Sequence, residues 1–440
     1  MQNSQFRVVI IGAGPTGLYM ARALHAANID FVVLERGPPT FRERGNHLLI
    51  WPHTARLLHQ LGLYEEAKRR SYKLVSKCDR LKDGTILSDY DIWKKLEDGH
   101  GYPMLPLQRS ELIEVLWQSI PNRDKVIRTG AKVVKIEATD SNVHVHLADG
   151  TVETGSIVVG ADGTHSMTRT YIRELTEKSD VSPSSDIAEI PNVSHFYSIY
   201  GEGLNRHGIK NAIFYETRDT GMGIQLGTNV EMVRLILYKK LPKPLSTRVE
   251  YTKQDMEEFA ESFFDMSGAP GVTIGDIWPD INKDSARLVS QEEGFAARWH
   301  TQRVVLTGDA AVTSSSVNGL GINCGLHSTA LLASEIQKVV SANANPDSAS
   351  LEQAFARYQR FRAKEIKRIY DFGYMSMRQM TWDSWTAWFI DRFAKRWISS
   401  DTLIKSFAHP MVRNGQILSY VPFEDVEAPM KWRWYPDATA

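Results

Sequence analysis

Asp309 closes an apolar run and is followed by almost nothing but small side chains, in the stretch LTGDAAVTSSSVNGLGINCG over residues 306–325. An acid at the carboxyl end of a strand, with bare backbone behind it, suits the mouth of an open α/β sheet, where backbone can approach a bound ligand. A second group stands near the amino terminus, in FRVVIIGAGPTGLYMARALHAANIDFVVLERG over residues 6–37. Gly12 permits a tight turn, Gly14 admits a pyrophosphate, and Gly17 lets the following helix pack on its strand. Glu35 ends the next strand where a ribose hydroxyl would lie. The alternative is an ordinary strand-to-helix turn, but strand, helix and acid agree on a dinucleotide site, and an acid at that position favours an unphosphorylated ribose. FAD and NAD satisfy this equally. A third stretch, GSIVVGADGTHSMTR over 155–169, ends a strand at Asp162-Gly163 and places Ser166 and Arg169 on one helical face.

Taken in order, GAGPTG, GADGTHSMTR and GDAAVTSSSVNGLGIN resemble the three signatures of single-component flavoprotein aromatic hydroxylases of the para-hydroxybenzoate hydroxylase type. The resemblance covers roughly residues 6–370, and RGNHLLIWPHTARLLHQLGL and LQRSELIEVL agree with it. It implies FAD as cofactor, with Glu35 on the ribose beside Arg36, Arg44 in a loop flanking the flavin, and Arg109 as a cofactor contact. Asp162 would serve FAD and a transient NADPH or NADH, and Asp309 the ribityl and pyrophosphate region. Gly319, Gly321 and Asn323 match the late signature. Val312 and Ser316 depart from it, since the family usually carries His and Pro there; this keeps open a redox-neutral cyclase of the same fold that retains FAD as a scaffold. The main implication is a monooxygenase that hydroxylates or epoxidises through a flavin hydroperoxide. A halide motif of the halogenase kind is absent.

The elements that must position these residues are α/β: a Rossmann-like FAD-binding domain with a parallel sheet (1–75, 100–184 and 286–360), an antiparallel-sheet substrate domain (76–99 and 185–285), and C-terminal helices (361–440). In GMGIQLGT the period of two puts Ile224, Leu226 and Thr228 on one face. Aligned with the family at Gly221, that face looks toward the flavin, and Tyr215 falls at an aromatic substrate contact; the alternative for Tyr215 is a ring packed in a sheet. No arginine occupies this face, so the expected substrate is a bulky, largely apolar polyketide, indole or terpenoid. His47 and His53 lie near the expected flavin edge, as proton shuttles or simply as packed histidines.

Lys+Arg and Asp+Glu are each 52 in 440 residues, which removes an electrostatic case for nucleic acid. Two cysteines make no disulfide framework, no Cys/His cluster has metal spacing, and no run is long enough to span a bilayer, so a cytoplasmic protein is expected. Trp382, Trp385, Phe389, Phe393 and Trp397 form a stripe beside basic residues. It would pack on the FAD domain or in a homodimer, or else lie on a membrane; Asp383 and Asp391 break the basic character and favour packing. The tail from Tyr420 is expected to wrap the surface.

Overall fold

The computed structural model describes residues 6–38, 47–178, 187–394 and 400–433. Its first sheet runs in the order His300–Thr301, Val304–Leu306, Ile157–Gly160, Arg7–Ile11, Asp30–Leu34, Ile127–Arg128. All neighbours are parallel except the first pair. Val8, Val9, Ile10, Val158, Val159 and Val305 are fully buried. Such uninterrupted apolar runs are what a parallel sheet covered on both faces demands. Helix Pro15–Ala26 packs against helix Leu320–Ala342, which in turn packs against helix Ser348–Met380. The expected α/β class is what the fold shows.

The second sheet has eight strands, in the order Val312–Thr313, Arg287–Phe295, Ile190–Leu204, Met232–Leu245, Met222–Thr228, Ile213–Asp219, Ser76–Leu81, Ile86–Tyr90. Two boundaries therefore differ from expectation. Arg287–Phe295 pairs with Ile190–Leu204 and belongs to the substrate-side sheet, not to the cofactor portion. Helix Ser348–Met380 runs unbroken past residue 361, so no separate C-terminal unit begins there.

A larger correction concerns the faces of this sheet. Tyr215, Ile224 and Leu226 do not look toward the cofactor: with Leu235, Leu237, Phe259 and Phe263 they form a second core beneath helix Lys253–Glu261. Thr228, on the same side, gives its hydroxyl to the Lys210 carbonyl. The physical reason is that one face of an antiparallel sheet must be buried on its helix layer, and the apolar alternation goes there. The opposite face, one residue out of phase, carries Phe214, Glu216, Arg218 and Gln225.

The tail straps the cofactor portion. Tyr420 donates to the Ala23 carbonyl at 2.8 Å, Gln60 donates to the Leu418 carbonyl at 2.8 Å, and Asp425 pairs with buried Arg56 at 2.7 Å.

Candidate active site: a cofactor cleft and a mixed cavity

Gly12 has φ +104°, and a Cβ there would lie 2.5 Å from the Ala161 carbonyl oxygen. At Gly17 a Cβ would come within 1.9 Å of the Gly12 oxygen. Only glycine allows strand and helix this close. Helix Pro15–Ala26 then starts at Gly14 with no side chain capping its first turn, which leaves the positive end of the helix open to an anion. Helix Leu320–Ala342 starts likewise uncapped, at Gly319 with φ +61°.

Charged groups gather at these ends without touching. Glu35 accepts hydrogen bonds from the Ala13 and Gly37 N–H groups, both at 2.8 Å, and keeps lone pairs to spare. Arg109 opens helix Arg109–Gln118 and lies over the glycine turn, its Nη2 3.5 Å from where a Gly14 Cβ would be. Burial pulls its pKa down, and the carboxylates of Asp309 and Glu35 oppose that pull. Arg109 has no hydrogen bond or ion pair among the described residues. Burial likewise pushes the Asp309 carboxyl up, against Arg109 and Arg169. An exposed cation facing two acids across the cleft, with a glycine cradle beside it, fits the pyrophosphate and sugar of a dinucleotide. Arg36 is exposed next to Glu35, and Arg44 lies outside the described residues.

Other expected residues hold the cleft's walls in place. Asp162 accepts from the Ser166 hydroxyl at 2.6 Å and from the Thr168 N–H at 3.0 Å, fixing the start of helix Met167–Lys178. Arg169, on that helix, donates to the Ala310 carbonyl at 3.3 Å and so pins the loop that carries Asp309. Asn323 is spent on backbone: its oxygen accepts from Trp51 N–H at 2.9 Å, and its amide donates to the carbonyls of Leu49 and Gly319. Gly321 is open, with only Ser314 Oγ near its missing Cβ.

Beyond the loop lies a cavity of about 420 Å³. Leu49, Trp93, Phe214, Phe372, Met380 and Phe407 supply apolar wall, and Val317 and Asn318 of the late signature supply backbone. The remaining wall is a charged network that sequence reasoning missed. Lys77 pairs with Glu216 at 2.7 Å; Arg218 bridges Glu216 at 2.7 Å, Asp79 at 3.3 Å, and Asp391. Burial opposes every charge here, yet contact wins: the carboxylates hold Lys77 and Arg218 above their ordinary values, and the cations hold Glu216 below its own. The alternation of Phe214, Glu216 and Arg218 along one strand was the available signal.

Gln225 joins this wall to the cofactor loop, donating to Glu216 at 2.8 Å and to the Val317 carbonyl at 2.7 Å. Tyr238 donates to Gln225 at 3.1 Å and meets Ser316 at 3.2 Å, and Ser316 donates to Gln291 at 2.8 Å. Val312 pairs with Phe295 at the sheet edge. The two departures from the family signature thus tie the loop to the second sheet.

Neither histidine lines the cavity. His47 sits 3.4 Å from the Gly201 carbonyl, and burial together with Arg234 lowers its pKa to about 4. His53 stacks on His327 at 4.5 Å, and burial lowers it to about 3. Among the described residues no cluster of His, Cys, Asp or Glu could hold a metal ion.

The family described as FAD binding domain matches residues 5–371. The FAD-dependent monooxygenase srdH of Neurospora crassa is 39% identical, over 97% of this chain and 98% of that protein. Among solved structures, Klebsiella pneumoniae HpxO complexed with FAD and uric acid has a TM-score of 0.74 at 16% identity, covering 93% of this chain and 97% of that one. The Diels-Alderase PyrE3 of pyrroindomycin biosynthesis has a TM-score of 0.66 at 18% identity, covering 92% and 79%.

Proposed function

The chain belongs to the FAD-binding-domain family of flavin monooxygenases and takes FAD, and from that premise we propose that it uses NADPH or NADH and oxygen to hydroxylate or epoxidise a bulky, largely apolar secondary metabolite of polyketide, indole or terpenoid type. One observation carries this reading: the cavity of about 420 Å³ meets the cofactor loop at Val317 and Asn318, with mostly apolar walls. That volume suits a drug-sized molecule held by apolar contact and a few polar groups.

FAD, when bound, supplies hydride acceptance and oxygen activation. The chain's own part is positioning and electrostatics. Glu35 would accept from ribose hydroxyls, its other contacts to Ala13 and Gly37 keeping it oriented. Arg109 and the uncapped turn after Gly14 neutralise phosphate charge. Asp309 accepts from the ribityl chain, in a loop that Arg169 holds. The open first turn at Leu320 favours negative charge at the edge of the ring. Leu49, Trp93 and Phe372 exclude water from the reacting face.

The charged wall sets which substrates enter. Asp79, Glu216 and Asp391 outnumber Lys77 and Arg218, and both cations are engaged. Among the described residues an anionic substrate finds no free cation in that wall. A neutral substrate can offer a hydroxyl or ring N–H to Glu216, which acts as an acceptor and orienting group because Lys77 and Arg218 hold it ionised.

The test follows the purified holoenzyme's flavin absorbance under anaerobic NADPH, with and without neutral lipophilic metabolites, then admits labelled oxygen. Faster bleaching with substrate and one labelled oxygen in the product support the reading. A flavin that neither nicotinamide reduces, with a product isomeric with the substrate, replaces it by the scaffold cyclase.

A further inference from the structure

The aromatic segment after the long helix is anchored to the fold through Ala387 and Asp391 but leaves its large rings exposed. Trp385 is 76% exposed, and Trp388, Phe389, Ile390 and Phe393 are each exposed by about two-fifths or more. The rings touch chiefly one another, with centroids 6.5 Å apart for Trp385 and Phe389 and 5.0 Å for Phe389 and Phe393. Trp382 is different: it is buried, and its N–H donates to Asp391 at 3.0 Å. Trp397 lies outside the described residues.

The two acids that seemed to spoil the segment's basic character are both held in ion pairs. Asp391 is buried in its pairing with Arg218, and Asp383 pairs with Lys240. Arg392, next in the chain after Asp391, is exposed. On helix Ser348–Met380, Phe361, Lys364, Arg368, Phe372 and Met375 follow at spacings of three and four, so they share one stripe. Phe361, Lys364, Arg368 and Met375 are exposed, and neither Lys364 nor Arg368 has an ion pair among the described residues. Asp371, beside them, is held by Lys367 at 2.6 Å.

The mouth of the cavity opens at this face. Met375 and Ile390 both line the cavity and are themselves 61% and 45% exposed. We infer that this face docks on an anionic phospholipid membrane, with the cavity mouth against the bilayer. Trp and Phe side by side with Arg and Lys is the chemistry of the headgroup boundary. A two-fold pairing of copies would instead set the cations of the stripe, Lys364 and Arg368, against themselves. Among the described residues no helix is long and apolar enough to cross a membrane, so the contact is with its surface. The inference deepens the proposed function, since an apolar substrate partitions into the phase the mouth faces, but docking is measurable without any turnover.

The test is flotation of the FAD-loaded protein with vesicles of phosphatidylcholine alone and of phosphatidylcholine mixed with phosphatidylserine, alongside its solution mass. A triple variant, Trp385→Ser, Phe389→Ser and Phe393→Ser, removes the apolar anchors from exposed positions; flavin content reports its folding. The expected result is flotation with the mixed vesicles that drops roughly tenfold or more in the variant. Flotation equal on both vesicle types overturns the anionic specificity. A wild type that floats with neither, a variant that floats as well as wild type, or a dimer that the substitutions split without any flotation overturns the docking surface. A protein that docks yet oxidises no apolar metabolite keeps this inference and loses the proposed function.

Discussion

Charge is arranged in opposite ways on the two sides of the loop from Gly308 to Gly319. In the cofactor cleft, Arg109 and Asp309 are exposed, and Arg109 faces Asp309 and Glu35 without a bond to either, the protein crowded around the cleft shifting both Arg109 and Asp309 toward their neutral forms. In the cavity wall, Lys77, Glu216, Arg218 and Asp391 are in contact, and each cation is shifted toward its charged form. The difference separates two uses of charge. Unpaired charge in an open cleft stays solvated until a ligand of complementary charge covers it; paired, buried charge is complete in itself and shapes what can bind.

The largest test of this contrast exchanges one arginine on each side. Arg218→Met leaves three carboxylates against one lysine and should cost about 3–5 kcal/mol of stability, read by denaturant unfolding. Arg109→Met should leave the FAD-free protein as stable as wild type or more so, while weakening FAD binding by about tenfold or more, read by flavin titration. Equal losses of stability from the two would break the contrast.

The charged wall also has to be held from behind. Ile224→Ala opens a hole in the second core and should cost about 2–4 kcal/mol, whereas Phe214→Ala, on the cavity side of the neighbouring strand, should change substrate KM more than it changes stability. If Phe214→Ala proved the more destabilising, the assignment of faces would be reversed.

The smallest effect is in pH dependence, and its sign differs between the sites. Asp309 is raised in the folded state, so its contribution is favourable below the ordinary carboxyl range and lost as pH rises through its folded value. Asp309→Asn should therefore stabilise the FAD-free protein only slightly at neutral pH, since the carboxylate is exposed and screened by water, by an amount that vanishes as pH falls toward about 4. Glu216 is lowered, so its contribution is present above the ordinary range and lost as pH falls through its folded value. Glu216→Gln should destabilise at neutral pH, by an amount that persists to about pH 4 and fades only below it. Thermal unfolding from pH 7 to 3 reads both.

How legible each site was follows from how local its cause is. Gly17 is required by a contact five residues away and Gly12 takes a positive φ in the same turn, so the cleft could be seen in one short stretch, and Glu35 by its place at the end of the next strand; that Gly12 also meets the Ala161 carbonyl could not. Asp162 and Asn323 were recognised as members of motifs, but their side chains turn out to fasten backbone. The strand from Met222 to Thr228 shows its two faces plainly by alternation. Which face meets the helix layer depends on Met256, Phe259 and Phe263, and a periodicity cannot state that. The charged wall joins Lys77 to Asp391 across most of the chain, and no local pattern marks such a meeting. The pairings of Asp383 with Lys240 and of Asp391 with Arg218 were hidden from a sequence reading for the same reason.

The order of strands in the first sheet also governs how the protein is made. Arg7–Ile11 is flanked by Asp30–Leu34 on one side and Ile157–Gly160 on the other, and Val304–Leu306 closes the row. At roughly 5–20 residues per second, translation takes on the order of 15–60 s to go from the first of these strands to the last. For all that time the early βαβ unit stands on the ribosome with an apolar edge and a glycine turn but no Asp309. Cofactor loading is thus a late step in the protein's birth, and chaperone demand should fall on the interval before residue 306 emerges.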